Sequence, residues 1–318
     1  IDFDFIPSPN HEIKFGTSYT NHNFFPGETT LSINEILPDT SQNFSLDTTL
    51  NFSGNTIADE LYFYVEDNFK ISNRLKANLG IHLGYYNTDR SNSIFKNNIS
   101  FQPRASVRYL LNDKWSIKGS YAEMTQNIHL LSNSSIGFPS DIWVPATDTV
   151  PSQTSKQWAG NISTELGNGE YELSLEGYYK TMNNLITYKS GYSNLSSTES
   201  WENSVESGGI GESYGAELFL QKKKGRTTGW IGYTLSWTNR KFDNINFGEW
   251  YPYKFDRRHD FSLVVSHRFN EKWDAGLTWV YGTGNAITFP QAVYFGIPNS
   301  GNDGVDVIES YGQRNSTR

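Results

Sequence analysis

Hydrophobic and polar residues alternate strictly in three segments near the C-terminal end of the chain. In the first segment, Ile231, Tyr233 and Leu235 share one face, and glycine, threonine and serine occupy the positions between and beyond them. The segments 260–269 and 273–281 follow the same rule. A period of two predicts extended strands with one apolar face and one polar face. Each segment is roughly ten residues long, which is closer to a tilted membrane-spanning strand (about 9–11 residues) than to an average soluble strand (about 5–6).

The same alternation recurs along the chain and predicts about twelve strands. The clearest strand is Leu75–Tyr85, in which every odd position is apolar and every even position is polar or glycine. The segment 60–70 is apolar on both faces, so its outward side cannot be assigned from the pattern. Pro103 interrupts the strand predicted around 99–109. Because proline has no N–H to donate, we expect a bulge or a register offset there.

Short turns alternate with long polar loops along the chain. Short turns fall near 71–73, 112–114, 167–169, 223–226 and 270–272, and long loops near 26–56, 87–96, 128–154 and 188–210. After Pro290 the sequence is loop-like and predicts no further strand. Trp115 and Trp273 follow short turns directly, where an interfacial aromatic girdle belongs. Short periplasmic turns opposite long extracellular loops are typical of outer-membrane barrels, so the predicted fold class is all-β, an antiparallel transmembrane β-barrel.

Composition agrees with this class and excludes others. The 318 residues carry a formal charge of -8, include no cysteine and are 15% aromatic. A barrel with a wet interior needs apolar residues at only every second position, so sparse aliphatic residues do not exclude the membrane. No apolar run is long enough for a transmembrane helix, and the acidic balance argues against nucleic acid as a partner. We find no catalytic or cofactor motif and predict neither an enzyme nor a cofactor; Asp303 and Asp306 are too few to predict a calcium site.

Three blocks of sequence carry a resemblance to a known family. They are Met124–Ser135 with Phe138–Gln153, then Glu176–Gly191, and finally Glu212–Asn285. In these blocks the chain resembles the TonB-dependent outer-membrane receptors of the kind found in Bacteroidota. It resembles the receptors that carry a carboxypeptidase-like regulatory domain more than the SusC-type glycan importers. The likeness covers roughly residues 58–290.

The resemblance implies a 22-stranded barrel filled by a plug domain of the same chain. It also implies the TonB-ExbB-ExbD complex and the lipid bilayer as partners, and a surface lipoprotein, SusD-like or other, as a further one. The expected function is energised uptake of a scarce nutrient, namely a siderophore, a metal complex, an oligosaccharide or a peptide. The alternative is a non-transporting barrel that serves as receptor or structural partner in an envelope complex. Neither plug, Ton box nor final strands occur in 1–318, so we expect the whole chain to be a partial barrel.

Two groups of side chains are candidate binding residues. The predicted extracellular loops carry aromatic and arginine candidates for ligand binding, because exposed rings and guanidinium groups contact flat or anionic ligands. These are Trp143, Trp201, Trp250, Tyr251, Tyr253, Arg257 and Arg258. The alternatives are packing within the loops and, for the arginines, an ion network at the rim. Charged residues predicted to face the lumen would contact the plug or simply be solvated; they are Arg104, Arg108, Lys118, Glu172, Glu176 and Glu217.

Overall fold

The computed structural model describes residues 1–26, 28–36, 43–51, 54–89, 99–132, 141–189, 200–295 and 307–318. These residues form strands and two short 3₁₀ helices, Trp201–Ser204 and Asn246–Gly248. The strands are β1 (Asp2–Ser8), β2 (His11–Phe24), β3 (Glu28–Ile36), β4 (Asn43–Asn51), β5 (Thr56–Lys70), β6 (Leu75–Thr88), β7 (Ile99–Leu110), β8 (Trp115–Gln126), β9 (Ile128–Leu131), β10 (Ile142–Pro145), β11 (Gln153–Leu166), β12 (Tyr171–Tyr188), β13 (Val205–Lys222), β14 (Thr227–Lys241), β15 (Tyr251–Pro252), β16 (His259–Arg268), β17 (Asp274–Gly282), β18 (Pro290–Phe295) and β19 (Val307–Tyr311).

One antiparallel sheet contains the long strands. Its order is β1-β2-β5-β6-β7-β8-β11-β12-β13-β14-β16-β17, with the two-residue β15 attached to β14. The twelve strands of this path are the twelve that the alternation predicts. Neighbours are joined by a short turn at one end and by a long connection at the other, as the sequence also predicts. The predicted fold class, an antiparallel β-barrel architecture, is therefore confirmed.

The two faces of the sheet differ in polarity as the alternation requires. On β6, Ile81 and Leu83 are 41% and 44% exposed on the apolar face, and among the described residues no second layer of protein covers them. The opposite side, called the lumen face below, carries polar residues such as His82. The structure also shows which side of β5 faces outward. Phe63 is 52% exposed on the apolar face, and Tyr64 stacks on His82 on the lumen face.

A row of aromatic rings marks one border of the apolar face. Neighbouring rings in this row lie 5.4 to 6.4 Å apart, and the row comprises Tyr121, Trp158, Tyr179, Tyr214 and Trp237. One step closer to the long connections, Lys156 pairs with Glu123 at 3.3 Å on the same face. An ion pair directly beyond a row of tyrosine and tryptophan is the arrangement expected where a barrel wall leaves the hydrocarbon.

Several loop predictions are wrong because the long connections contain strands of their own. The pairs β3–β4, β9–β10 and β18–β19 each form a separate two-stranded antiparallel sheet, the last of them after Pro290. They lie in the segments predicted as loops at 26–56 and 128–154 and at the C-terminal end. β9 and β10 are four residues long, too short to show a clear period.

The bulge expected at Pro103 is also absent. The register between β6 and β7 runs unbroken through Ile81↔Pro103. On the other side, β7 pairs with β8 only from Arg104 onwards. Pro103 therefore stands at the end of a ladder, where a missing N–H costs no hydrogen bond.

The buried apolar core lies in the connections rather than within the sheet. The largest cluster joins β9, β10, β12 and the first 3₁₀ helix through Leu131, Val144, Val150, Ile186, Tyr188, Trp201 and Val205. A second cluster holds Phe242, Ile245 and Tyr251 against Leu185. Across the described ranges, none of the helices has the length and apolar character needed to cross a membrane.

Candidate functional site

A single row of six polar side chains, five of them charged, crosses six strands on the lumen face. Strand register places them directly opposite one another in the order Lys76, Arg108, Lys118, Asn161, Glu176, Glu217. The row is therefore basic on β6–β8 and acidic on β12–β13, with Asn161 between the two halves. Like charges directly opposite on neighbouring strands repel each other. Of the ion pairs between described residues, none includes these five charged groups.

The two other lumen candidates lie on the same face in different surroundings. Glu172 pairs with Lys223 at 2.6 Å, at the short-turn end of the sheet. Arg104 lies opposite Gly80 and Ala122, and its Nε is buried without a hydrogen-bond partner in the described part of the chain. The structure thus places all six predicted lumen residues on one face, but only Glu172 among them has an ion-pair partner within the described ranges.

A polar network on the lumen face escaped the sequence prediction. Asn127 donates from Nδ2 to Glu60 Oε1 at 2.9 Å and to Tyr62 Oη at 3.0 Å. Its Oδ1 accepts a hydrogen bond from Ser152 Oγ at 2.7 Å. His22 Nε2 lies 3.2 Å from Glu60 Oε2. The network fixes the start of the β8–β9 connection to β5, over sequence separations that no local pattern reveals.

The predicted ligand-binding aromatics divide into exposed and buried groups. Trp143 and Trp250 are 57% and 43% exposed, as expected for candidates that contact a ligand. Trp201 and Tyr251 are each only 3% exposed, so the expectation that they present free rings is wrong. Trp201 packs in the largest loop cluster instead. Tyr253 is half-buried, and the guanidinium of Arg240 lies 3.4 Å from the centre of its ring.

The two predicted arginines have different surroundings. Asp256 is 1% exposed, accepts a hydrogen bond from the backbone N–H of Thr238 at 2.9 Å, and pairs with Arg258 at 3.2 Å and with Arg318. The guanidinium of Arg258 also lies over the Trp237 ring. Arg258 therefore belongs to the rim network that was the alternative to ligand binding. Arg257 is exposed and donates to Asn285 Oδ1 at 3.4 Å.

No metal site is found where the structure can be described. Within those ranges, no three His, Asp or Glu side chains come together in a way that could hold a metal ion. Asp303 and Asp306 lie outside the described residues.

His129 is fully buried in β9, and burial lowers the pKa of its imidazole to about 4.

Solved structures of outer-membrane proteins share this architecture. The ferripyoverdine receptor of Pseudomonas aeruginosa is 15% identical, with a TM-score of 0.58 over 98% of this chain and 39% of its own. The ferric-catecholate import receptor Fiu of E. coli K12 is 14% identical, with a TM-score of 0.57 over 90% of this chain and 44% of its own. The FrpB iron transporter of Neisseria meningitidis is 12% identical, with a TM-score of 0.57 over 87% and 41%. At these identities the likeness establishes the fold alone, and the chain spans about two fifths of their length.

A family model identifies the chain more directly than these structures. No curated protein sequence matches it. The family model described as TonB dependent receptor-like, beta-barrel, matches residues 1–313. Barrels of that family are outer-membrane proteins, and its members are receptors and transporters rather than enzymes. Since the match extends over nearly the whole chain, this protein belongs to the TonB-dependent receptor-like β-barrel family.

Proposed function

We propose that this chain forms part of the wall of a TonB-dependent outer-membrane transporter that takes up a scarce nutrient. The observation that supports the proposal most is the row of charges on the lumen face, which is basic on β6–β8 and acidic on β12–β13. Arg108 faces Lys118, and Glu176 faces Glu217, with none of the four in a described ion pair. Such a wall suits an occupant that brings acidic groups to β7–β8 and basic groups to β12–β13, because an occupant of that kind would relieve the repulsion.

A plug domain of the same chain is the occupant that we propose. Charged contacts with a plug break more readily in a wet lumen than apolar packing does, since surface ion pairs contribute only about 0–1 kcal/mol each. Energy from the TonB-ExbB-ExbD complex would then displace the plug and open a path for the solute. β1 and β17 are the edges of the main sheet. Unpaired edges in lipid cost several kcal/mol per backbone group, so we propose that further strands complete a barrel of about 22.

We propose the nutrient class from the names of related structures and from the exposed loop residues. The names of two similar proteins refer to ferripyoverdine and ferric catecholate, which favours an iron–siderophore complex here. Trp143, Trp250 and Arg257 are the exposed candidates for contact with it. A Bacteroidota-type receptor with a regulatory domain, served by a surface lipoprotein, remains our proposal from the three sequence blocks alone.

Uptake of radioactive iron tests the function. Cells that lack the receptor gene are complemented with the full-length receptor, and ⁵⁵Fe bound to a catecholate siderophore is the probe. We expect uptake that requires both the receptor and TonB. Uptake that needs the receptor but continues without TonB would contradict energised transport. Uptake unaffected by the receptor would contradict the catecholate class.

Charge reversal tests the proposed plug seat separately. The double variant Glu176→Lys, Glu217→Lys should loosen the plug and sensitise cells to a large antibiotic such as vancomycin, whereas Glu249→Lys in an exposed loop should not. Equal sensitivity of both variants and the wild type would show that these glutamates do not hold the plug.

A further inference from the structure

Two arginines at the long-connection end of the sheet line one small cavity without a carboxylate partner. Arg240 is the penultimate residue of β14, and Arg314 follows β19. Both lie in the lining of the same cavity. Of the ion pairs formed between described residues, none includes either arginine. The Nε atom of each is buried and makes no hydrogen bond in the described part of the chain.

Neutral groups hold both guanidinium groups in place. Arg240 stacks on the Tyr253 ring at 3.4 Å, and its Nη1 donates to the backbone oxygen of Ile186 at 3.5 Å. Arg314 donates from Nη2 to Thr187 Oγ1 at 3.0 Å. These contacts orient the two guanidinium groups but bring no negative charge to them. Buried charges in proteins are normally paired, so a fixed pair of cations is the arrangement expected when the counter-charge comes from a ligand.

The described lining of the cavity carries more positive than negative charge. It includes Arg240, Arg314 and Lys254 but no aspartate or glutamate, and Lys254 pairs with Asp141 at 3.5 Å. Burial lowers the pKa of the Arg314 guanidinium. A guanidinium nevertheless stays protonated in proteins, and both cations persist at neutral pH.

The cavity measures about 20 Å³, room for one water-sized group. One oxygen of an anionic group fits this space, and a planar carboxylate brings less bulk behind that oxygen than a tetrahedral phosphate or sulfate does. Guanidinium forks match carboxylates in geometry and form charge-assisted hydrogen bonds to them. Arg240 lies on the lumen face of β14, two positions beyond Thr238 in the direction of the long connections.

We propose that Arg240 and Arg314 bind a carboxylate group carried by a solute that enters the lumen from the loop side. The identification of that solute as transported cargo rests on the proposed function. The carboxylate site itself does not, because it depends only on the two arginines and their cavity.

Thermal unfolding of the purified full-length receptor in detergent tests the site, with sodium acetate as the probe and sodium chloride at equal ionic strength as the reference. We expect a saturable rise in Tm of about 2 °C with acetate over chloride. Arg240→Gln and Arg314→Gln should each abolish the rise. Lys241→Gln, the adjacent residue on the opposite face, should keep it. Arg314→Lys retains the charge without the fork and should reduce the rise to less than half.

Three results would overturn the assignment. They are no acetate-specific rise in the wild type, an undiminished rise in either glutamine variant, and a rise with sodium phosphate as large as that with acetate. If a glutamine variant fails to fold, the wild-type comparison and Arg314→Lys still decide. Because the measurement involves neither TonB nor iron, a failed uptake experiment leaves the site standing, and a failed acetate experiment leaves transport standing.

Discussion

Arginine introduced at Ile81 tests directly which face of the sheet contacts lipid. Ile81 is 41% exposed on the apolar face of β6, between Val65 and Pro103 on the neighbouring strands. The apolar positions of β6 extend from Leu75 to Tyr85. Ten residues rise about 33 Å along a strand, which at a tilt of about 40° spans about 25 Å of bilayer. On this scale Ile81 lies about 15 Å above Leu75 and within about 3 Å of the midplane.

An arginine near the midplane on the lipid side of a barrel costs about 2–4 kcal/mol of folding free energy. We expect Ile81→Arg to cost this amount. Leu79 is a weaker choice, because Asp67 lies directly opposite and could pair with the new charge. The matched control is Asn78→Arg on the lumen face. It loses the hydrogen bond from Asn78 to Asn68, 2.7 Å long, and should cost no more than about 1 kcal/mol.

The assay is equilibrium unfolding by denaturant of the full-length receptor in phospholipid vesicles. The wild type, Ile81→Arg and Asn78→Arg are compared at one lipid composition, and the difference in unfolding free energy is the readout. Equal losses at the two positions would refute the facing assignment. A larger loss at Asn78 would reverse it.

Three further predictions concern packing and pH. A Cβ at Gly16 would meet a backbone oxygen at 2.5 Å and a tyrosine ring carbon at 2.8 Å. Gly16→Ala should therefore lower the unfolding free energy by about 1–3 kcal/mol. A Cβ at Gly119 would meet no atom within 4 Å, so Gly119→Ala should change the unfolding free energy by less than about 0.5 kcal/mol. Trp201→Ala should lower the local unfolding free energy of the loop core by about 3–5 kcal/mol, measured as faster amide hydrogen exchange in that core. Trp143→Ala should change the exchange rates little, because the Trp143 ring is exposed. Burial holds the pKa of His129 at about 4 against an ordinary 6.5, so the unfolded state binds more protons between these values. The stability of the loop sheet should therefore fall as pH drops from 6.5 towards 4, and His129→Leu should remove that dependence of the exchange rates.

The main sheet was predictable because its information is local. A two-residue period sorts the side chains of β6 onto two faces without reference to any other strand. That period also gave the number of long strands, and the alternation of short turns with long loops gave the side on which each connection lies. β5 was ambiguous, since both faces carry large rings, and only its neighbours show that Tyr64 reaches the lumen face, where it donates to Asp2.

The loops and the candidate sites depended on long-range contacts that alternation does not encode. The sequence places Trp201 in a polar loop and suggests an exposed ring. In the structure, residues from strands distant in sequence bury that ring. The sequence placed Glu176 and Glu217 on one face, but only the register shows that they stand opposite each other. Arg240 and Arg314 share a cavity across the fold, and no spacing in the sequence connects them.

Accessibility of spin labels along β6 tests the central claim most directly. The chain has no cysteine, so single labels can be placed one at a time at positions 78–84 of the full-length receptor in bilayers. Labels at Leu79, Ile81 and Leu83 should collide readily with oxygen, which concentrates in hydrocarbon. Labels at Asn78 and His82 should show low oxygen collision and greater contact with a water-soluble nickel complex. Uniform accessibility along the strand, or an alternation of opposite phase, would contradict a wall with lipid on one side and an aqueous lumen on the other.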